Sequence, residues 1–428
     1  MDGGAAVGDP VTFARATIAG AGLAGLSAAV RLVEAGLTVR IADSAAQAGG
    51  RCRSYHDPQL GLTIDNGNHL VLAGNRSVAA FRATIGAATP LAGPDHADFA
   101  FADLASGDRW TIRMNDGVLP WWVLSTRRRV PGTGALDYLR LAGLLTGAPG
   151  DAVGDRIDAT GPVWDKLIAP VLLAVLNTPP ETGSARLTAA VLRESLLRGG
   201  KATLPRIAEP SLAAAFIDPA LAWLAARDTP FTPGRRLRAI ETLGDRATAL
   251  DWGAGPEPVA DDEVVVLAVP PWVATALLPE ISAPDAFHAI VNAHFAIAPP
   301  DGAPAMLGLL GGTAEWLFAF PDRISVTVSA ADAIVDLDRE ELARRFWADI
   351  QSAYRFSAPM PAWQIVKEKR ATFAATPEQD EKRPAAATRW RNLFLAGDWT
   401  RTRLPATIEG ALRSGETAAR LAIGARTR

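Results

Sequence analysis

Gly20, Gly22 and Gly25, in the stretch IAGAGLAGLSAA, are spaced for chemistry done by backbone rather than side chains. A tight turn at Gly20, an unobstructed main chain at Gly22 and close helix packing at Gly25 would aim N–H groups at a pyrophosphate. Leu23 and Ala24 then form the first turn of the helix behind it. About 20 residues on, Asp43 supplies the acid that commonly takes ribose hydroxyls. Next come Gly49, Gly50 and Arg51 in AGGRCRSY, a flexible backbone plus a planar cationic fork suited to the second flank of a diphosphate. A second glycine and acid turn, Gly397 and Asp398 in NLFLAGDW, precedes a helix beginning near Ala406, Thr407 and Ile408. Its carboxylate suits sugar-alcohol hydroxyls, and the helix N-terminus favours electron density growing on a reduced ring. The two turns together predict a long dinucleotide held at both ends.

Strands and helices must hold these residues in place. RATIAG (15–20) has the β-branched, apolar character of a buried parallel strand, while Leu23, Leu26, Ala29, Val30 and Val33 recur at helical spacing. TVRIAD predicts a second strand ending at Asp43. Leu393 to Ala396 predict a short buried strand, and Ile408, Ala411, Leu412, Gly415 and Ala419 form a helical stripe. Between them, RRLRAIETL and RATALDWG predict two meander strands, and DEVVVLAVPPWVATALLPE a buried strand closed by Pro270 and Pro271 before a helix. ADFAFADLASGDRWTIRMNDG and WLFAFPDRISVTVSA predict hairpins, and DREELARRFWADIQSAY an amphipathic helix. Residues 138–227 alternate leucine- and alanine-rich helical stretches with Gly and Pro breaks. There is no internal repeat.

Taken in order, G-x-G-x-x-G, the acid, GGR-x-x-S and LFLAGD resemble the FAD-dependent amine oxidase and phytoene desaturase superfamily, and they bracket nearly the whole chain. The resemblance implies an α/β architecture: a Rossmann-like FAD domain with a discontinuous α+β substrate domain. It implies FAD rather than NAD. The FAD domain is expected over 13–90, 231–283 and 376–428, and the substrate domain over 91–230, largely helical, and 284–375. A narrower likeness is carried by DNGNHLVLAGN, VKEKRATFAATPEQ and NLFLAGDWTRTRLPATIEGALRSG, which resemble the squalene-associated FAD enzymes, the hydroxysqualene dehydroxylases. Those enzymes more often have Gln where Asn68 stands, and the superfamily often has Glu where this chain has Asp43. The resemblance implies reductive removal of an allylic hydroxyl from hydroxysqualene, giving squalene and water.

The same resemblance lays the turn Asp65, Asn66, Gly67, Asn68 and His69 along the flavin ring. Asn66, Gly67 and Asn68 become cofactor contacts. His69 is the first candidate proton donor and Asp65 the second, since an acid must assist the departing hydroxyl. His56, His96, His288 and His294 show no metal-ligand spacing, and no metal is expected. Cys52, the sole cysteine, offers neither a disulfide nor a Cys-based metal site and adjoins the GGR turn rather than the late FAD segment. Non-covalent FAD and a reducing cytoplasm are therefore expected. No second dinucleotide site of similar quality is present, because GLLGG (308–312) lacks a following acid-bearing strand, so the electron donor is left unassigned. The flavin motifs alone do not separate a dehydroxylase from a carotenoid-type desaturase running hydride the other way. An amine oxidase with Trp399 as one wall of an aromatic cage, a non-catalytic flavoprotein scaffold and an NAD-dependent dehydrogenase also stay open; the cage would have just Tyr55, Tyr138 and Tyr354 to draw on.

With 428 residues, the chain exceeds the usual size of one domain. Its apolar share is 49% and its mean hydropathy +0.11, yet no apolar run approaches the roughly 20 residues of a membrane-spanning helix. The net charge of -3 gives no reason to expect a nucleic acid partner. MDGGAAVGDP carries an acid and no apolar core, so it reads as a loose tail rather than a secretory signal. LPWWVLSTRRRVPG (119–132) sets a Trp-rich apolar segment beside three arginines, suited either to a lipid headgroup boundary or to a buried Trp pair with solvated arginines. WDKLIAPVLLAVLNTPP (164–180) suits the wall of an apolar tunnel or ordinary helix core. Together they lean toward an apolar substrate, which the resemblance implies is an isoprenoid, and peripheral membrane contact of a cytoplasmic protein is the accompanying expectation.

Overall fold

The computed structural model describes residues 13–424; the tail expected over MDGGAAVGDP lies outside the described residues. The first expected strand forms at Arg15–Ala19 and the second at Thr38–Ala42, with the helix Leu23–Glu34 crossing between them. They join Phe231–Thr232, Glu263–Leu267 and Leu393–Leu395 in a five-stranded parallel sheet. All five residues of Glu263–Leu267 are buried, which explains the unbroken VVVL: a parallel sheet is covered on both faces. Helix Leu23–Glu34 lies against helix Ile408–Gly424, and a side chain at Gly415 would come within 2.2 Å of the Ala24 carbonyl. The meander is the three-stranded antiparallel sheet Ala239–Leu243, Arg246–Asp251 and Pro256–Pro258.

A second, seven-stranded sheet runs in the order Trp363–Phe373, Phe287–Phe295, Arg323–Val328, Trp316–Phe320, Met306–Leu310, Asp98–Asp103, Arg109–Arg113. Both expected hairpins belong to it. The amphipathic helix Arg339–Tyr354 covers one face with Leu342, Phe346, Trp347 and Ile350, and Asp338 caps its start by accepting the Glu340 and Glu341 N–H groups at 2.8 and 3.3 Å.

The expected domain division needs one correction. The stretch from strand Pro205–Ala208 through helix Asp218–Ala225, placed by sequence in the substrate domain, packs Leu212, Phe216, Ile217 and Leu224 into the same core as Ile18, Leu26 and Val30. It also leads into Phe231–Thr232 at the edge of the parallel sheet. Leucine-rich periodicity announces a buried face and not the partner it is buried against. In the tunnel segment, Leu172 and Leu176 are core, while Ala169, Pro170 and Leu173 line an apolar pocket with Leu309, Glu315 and Trp316. Among the described residues no helix is long and apolar enough to cross a membrane.

Candidate active site

Glycines shape the first end of the site for two different reasons. Gly20 has φ +108° and a side chain there would lie 2.2 Å from the Ala268 carbonyl; at Gly25 it would lie 1.9 Å from the Gly20 carbonyl. Packing forbids both. Before Gly22, by contrast, nothing lies within 4 Å of where a side chain would project, so the main chain there faces open space. Gly22 pairs with Gly49 as an isolated parallel bridge, and the Gly49 N–H donates to the Ala21 carbonyl at 2.8 Å. The two glycine turns thus form one cradle. Asp43, half-buried at the end of its strand, accepts from the Ala21 N–H at 2.7 Å and the Ala45 N–H at 2.9 Å, which ties the loop to the strand. Leu23 and Ala24 are buried, so they can offer a ligand only main chain.

Arg51 and Asp398, expected at separate parts of the ligand, are in contact. The guanidinium bonds both Asp398 oxygens at 2.7 and 2.6 Å and the Ala371 carbonyl at 2.6 Å. Arg51 therefore joins the GGR turn, the late LAGD turn and strand Trp363–Phe373, rather than standing alone on a diphosphate flank. The Asp398 main chain is fixed by Arg383, whose Nη2 donates to its carbonyl at 2.9 Å. At Gly397, φ is +149°, and its N–H donates to Ser414 at 2.8 Å. Thr407 accepts the Gly410 N–H at 3.0 Å and so caps helix Ile408–Gly424, with Ala406 half-buried beside it. Trp399 is buried and donates to the Val269 carbonyl at 3.0 Å, so it forms no wall of an aromatic cage.

The polar turn 66–69 meets the seven-stranded sheet. Asn66 donates to Glu368 at 3.4 Å. Asn68 donates through Nδ2 to Thr327 at 3.1 Å, and the Thr327 hydroxyl donates to Asn292 at 2.8 Å. The Asn68 Oδ1 is buried without a partner, an acceptor poised for a donor on a ligand. His69 bonds the Gly67 carbonyl through Nδ1 at 2.8 Å, which makes Nε2 the nitrogen left to exchange a proton. Burial lowers the His69 pKa from its ordinary value, the Gly67 carbonyl opposes the fall and Arg51 adds to it.

Asp65, the second candidate proton donor, also has a capping role. Its carboxylate accepts from Ser54 at 2.5 Å and from the Leu212 N–H at 2.9 Å, so it caps the helical segment that begins there, and burial pushes its carboxyl up. Both bonds fall on Oδ1, so the carboxylate is anchored through one oxygen. The Asp65 carbonyl in turn accepts from His294 at 3.1 Å, and that fully buried imidazole, also bonded to Ser325 at 2.8 Å, is pulled down to about 3 by burial. His294 thus clamps the polar turn to the sheet as a neutral ring.

Asn292, Thr327 and Glu368 were not singled out from sequence. The signal available was a lone amide within the apolar run FHAIVNAHF, where Asn292 is 2% exposed.

These residues fit a long phosphate-bearing ligand: open backbone at Gly22, an acid at each end and an unsatisfied amide oxygen between. The sequence matches the family of flavin containing amine oxidoreductases over residues 23–423. It is 52% identical over 410 residues to the hydroxysqualene dehydroxylase of Rhodopseudomonas palustris, covering 95% of this chain and 98% of that one. The chain belongs to the hydroxysqualene dehydroxylase family. A second member, from Zymomonas mobilis, is 50% identical over 95% of this chain and 98% of its own length. A 15-cis-phytoene desaturase of Synechococcus elongatus matches at 32% identity over 24% of this chain and 23% of its own. Among solved structures, the cyclohexylamine oxidase of Brevibacterium oxydans superposes with a TM-score of 0.69 at 18% identity, over 96% of this chain and 99% of that one, which shows the shared fold. The protein is a flavin-dependent oxidoreductase.

Proposed function

We propose that this chain holds FAD non-covalently and uses it in reduced form to replace the allylic hydroxyl of hydroxysqualene by hydride. The observation that carries the reading is identity of about one half with hydroxysqualene dehydroxylases along 95% of the chain. When bound, the reduced flavin supplies a hydride to the allylic carbon and is left oxidised. The broken bond is carbon to oxygen, and the hydroxyl leaves as water with one proton from the protein.

Gly22 and the Gly49–Arg51 turn would receive the pyrophosphate on main-chain N–H groups, Asp43 the ribose, and Asp398 the ribityl hydroxyls. Asn68 would orient the ring or the substrate hydroxyl through its unpaired oxygen. His69 is the proton donor of the proposal: its charged form gives the proton from Nε2, while Gly67 fixes the ring. The Asn292 and Thr327 pair holds Asn68 against the sheet and does not itself move a proton. Buried Cys52, its thiol pushed up to about 12 by burial, is unsuited to forming a flavin bond, so acid treatment should release the yellow cofactor into solution.

Anaerobic mixing of the reduced holoprotein with hydroxysqualene tests the reading. Flavin should be reoxidised and squalene formed in equal amounts. Flavin that stays reduced with the substrate present rejects it. A desaturase would instead reduce oxidised flavin when given a polyprenyl hydrocarbon.

A further inference from the structure

Nine large apolar side chains stand exposed among the described residues, and six of them, Val118, Leu119, Trp121, Leu124, Leu136 and Leu139, fall within one short part of the chain. The sequence offered two readings for Trp121 and Trp122 together; the structure splits the pair. Trp122 is 5% exposed and packs edge to face on Tyr138 with ring centres 5.2 Å apart, while Trp121 is 63% exposed. The Tyr138 hydroxyl accepts the Val130 N–H at 2.9 Å. These contacts stitch the turn Trp121–Leu124 to the helical run Ala135–Thr146, so both present their apolar side chains from a fixed base.

Between the two segments in sequence stand Arg127 and Arg128, both exposed, with no carboxylate at ion-pair distance among the described residues. Asp137, the nearest acid in sequence on the second run, turns its carboxylate onto the Gly134 N–H at 2.7 Å. A chain of net charge -3 therefore exposes two unpaired guanidinium groups in the same stretch as six of its nine exposed large apolar side chains. An anionic bilayer matches both parts: headgroups for the guanidinium groups, the acyl boundary for Trp121 and the leucines.

We propose that this surface docks the protein on anionic lipid bilayers as a monotopic contact. It deepens the isoprenoid reading and rests on it for its purpose. Strand Leu70–Leu72, directly after His69, pairs with Pro205–Ala208, and the preceding turn packs Gly199 and Gly200 on Asn115 to Gly117, the root of the patch. An oily substrate drawn from the bilayer would thus meet the protein one strand pair away from the proton donor.

The test is co-sedimentation of the FAD-loaded protein with vesicles of phosphatidylcholine, alone or mixed with phosphatidylglycerol. Binding should require the anionic lipid and weaken with salt. Arg127→Glu with Arg128→Glu should weaken it roughly thirtyfold or more at low ionic strength. Trp121→Ser with Leu124→Ser should weaken it by about tenfold or more, most visibly at high salt. Both variants change exposed side chains, and retained flavin absorbance and melting temperature show that they fold. No sedimentation of the parent protein with anionic vesicles overturns the proposal, as does binding unchanged in both variants. So does a result in which the Ser variant alters only self-association. The binding readout does not involve hydroxysqualene, so it succeeds or fails separately from the catalytic reading.

Discussion

The parallel sheet and the seven-stranded sheet approach the site with different materials. The first presents main chain: Gly20, Gly22, Gly25 and Gly49 leave room, and acids at strand ends tie the loops. The second presents side chains, with Asn292, Thr327 and Glu368 reaching the polar turn or one another across the strands. A backbone cradle tolerates almost no added volume, whereas an isolated polar pair tolerates volume and suffers from a lost partner. Substitutions on the two sides should therefore fail in different ways.

The largest effect is expected at Gly25→Ala, where the added methyl collides with the Gly20 carbonyl. Destabilisation of more than about 3 kcal/mol, read by thermal or denaturant melts, should accompany loss of bound flavin. Gly22→Ala is its control: the apoprotein should melt as the parent does while FAD binding weakens roughly a hundredfold, measured by flavin fluorescence titration. Equal behaviour of the two variants would break the comparison.

Next come His69→Gln and Asn292→Leu. If His69 is the donor, as proposed, it must be charged to give a proton and its pKa is held below the ordinary value, so the rate of flavin reoxidation should climb as pH falls through a point under 6.5 and then level off. His69→Gln should keep the flavin, slow the step by about a hundredfold or more and flatten that profile. Asn292→Leu should cost about 1–3 kcal/mol through the stranded Thr327 and Asn68 groups, with flavin still bound.

The smallest effect concerns Glu315, whose carboxylate accepts the Ser329 N–H at 2.7 Å beside the apolar pocket and whose pKa is raised by burial to about 7. The folded state holds this proton more tightly than the unfolded chain. Its contribution is thus full below about 4.5 and lost as pH rises through about 7. With partial exposure, the loss should be on the order of 2 kcal/mol, and Glu315→Gln should remove that pH dependence from denaturant melts between pH 4.5 and about 7.

The same contrast explains what was legible in advance. Strand, turn and helix signals lie within a few residues of one another, so RATIAG, TVRIAD and LFLA could be located and their glycines given reasons. Pairings across the second sheet depend on register, including the irregularity between His288 and Ile290, and no local pattern announces that Asn292 will meet Thr327. Asp65 shows a related difficulty: its partner Leu212 is 147 positions away, so no local pattern announces the capping bond. Arg51 and Asp398, separated by 347 positions, each carry a local signal, but nothing local marks them as neighbours.

The contact between helices Leu23–Glu34 and Ile408–Gly424 also sets a timetable. Ser27 bonds the Leu412 carbonyl at 2.8 Å, across 385 positions of chain. A ribosome delivers the glycine loop early and must then synthesise almost everything else before the helix that lies against it emerges. Half a cradle waits, with its apolar flank uncovered, through most of translation. Cofactor capture is therefore a closing event of biogenesis, and a chain halted anywhere between those helices would leave the cell a sticky fragment instead of a weakened enzyme.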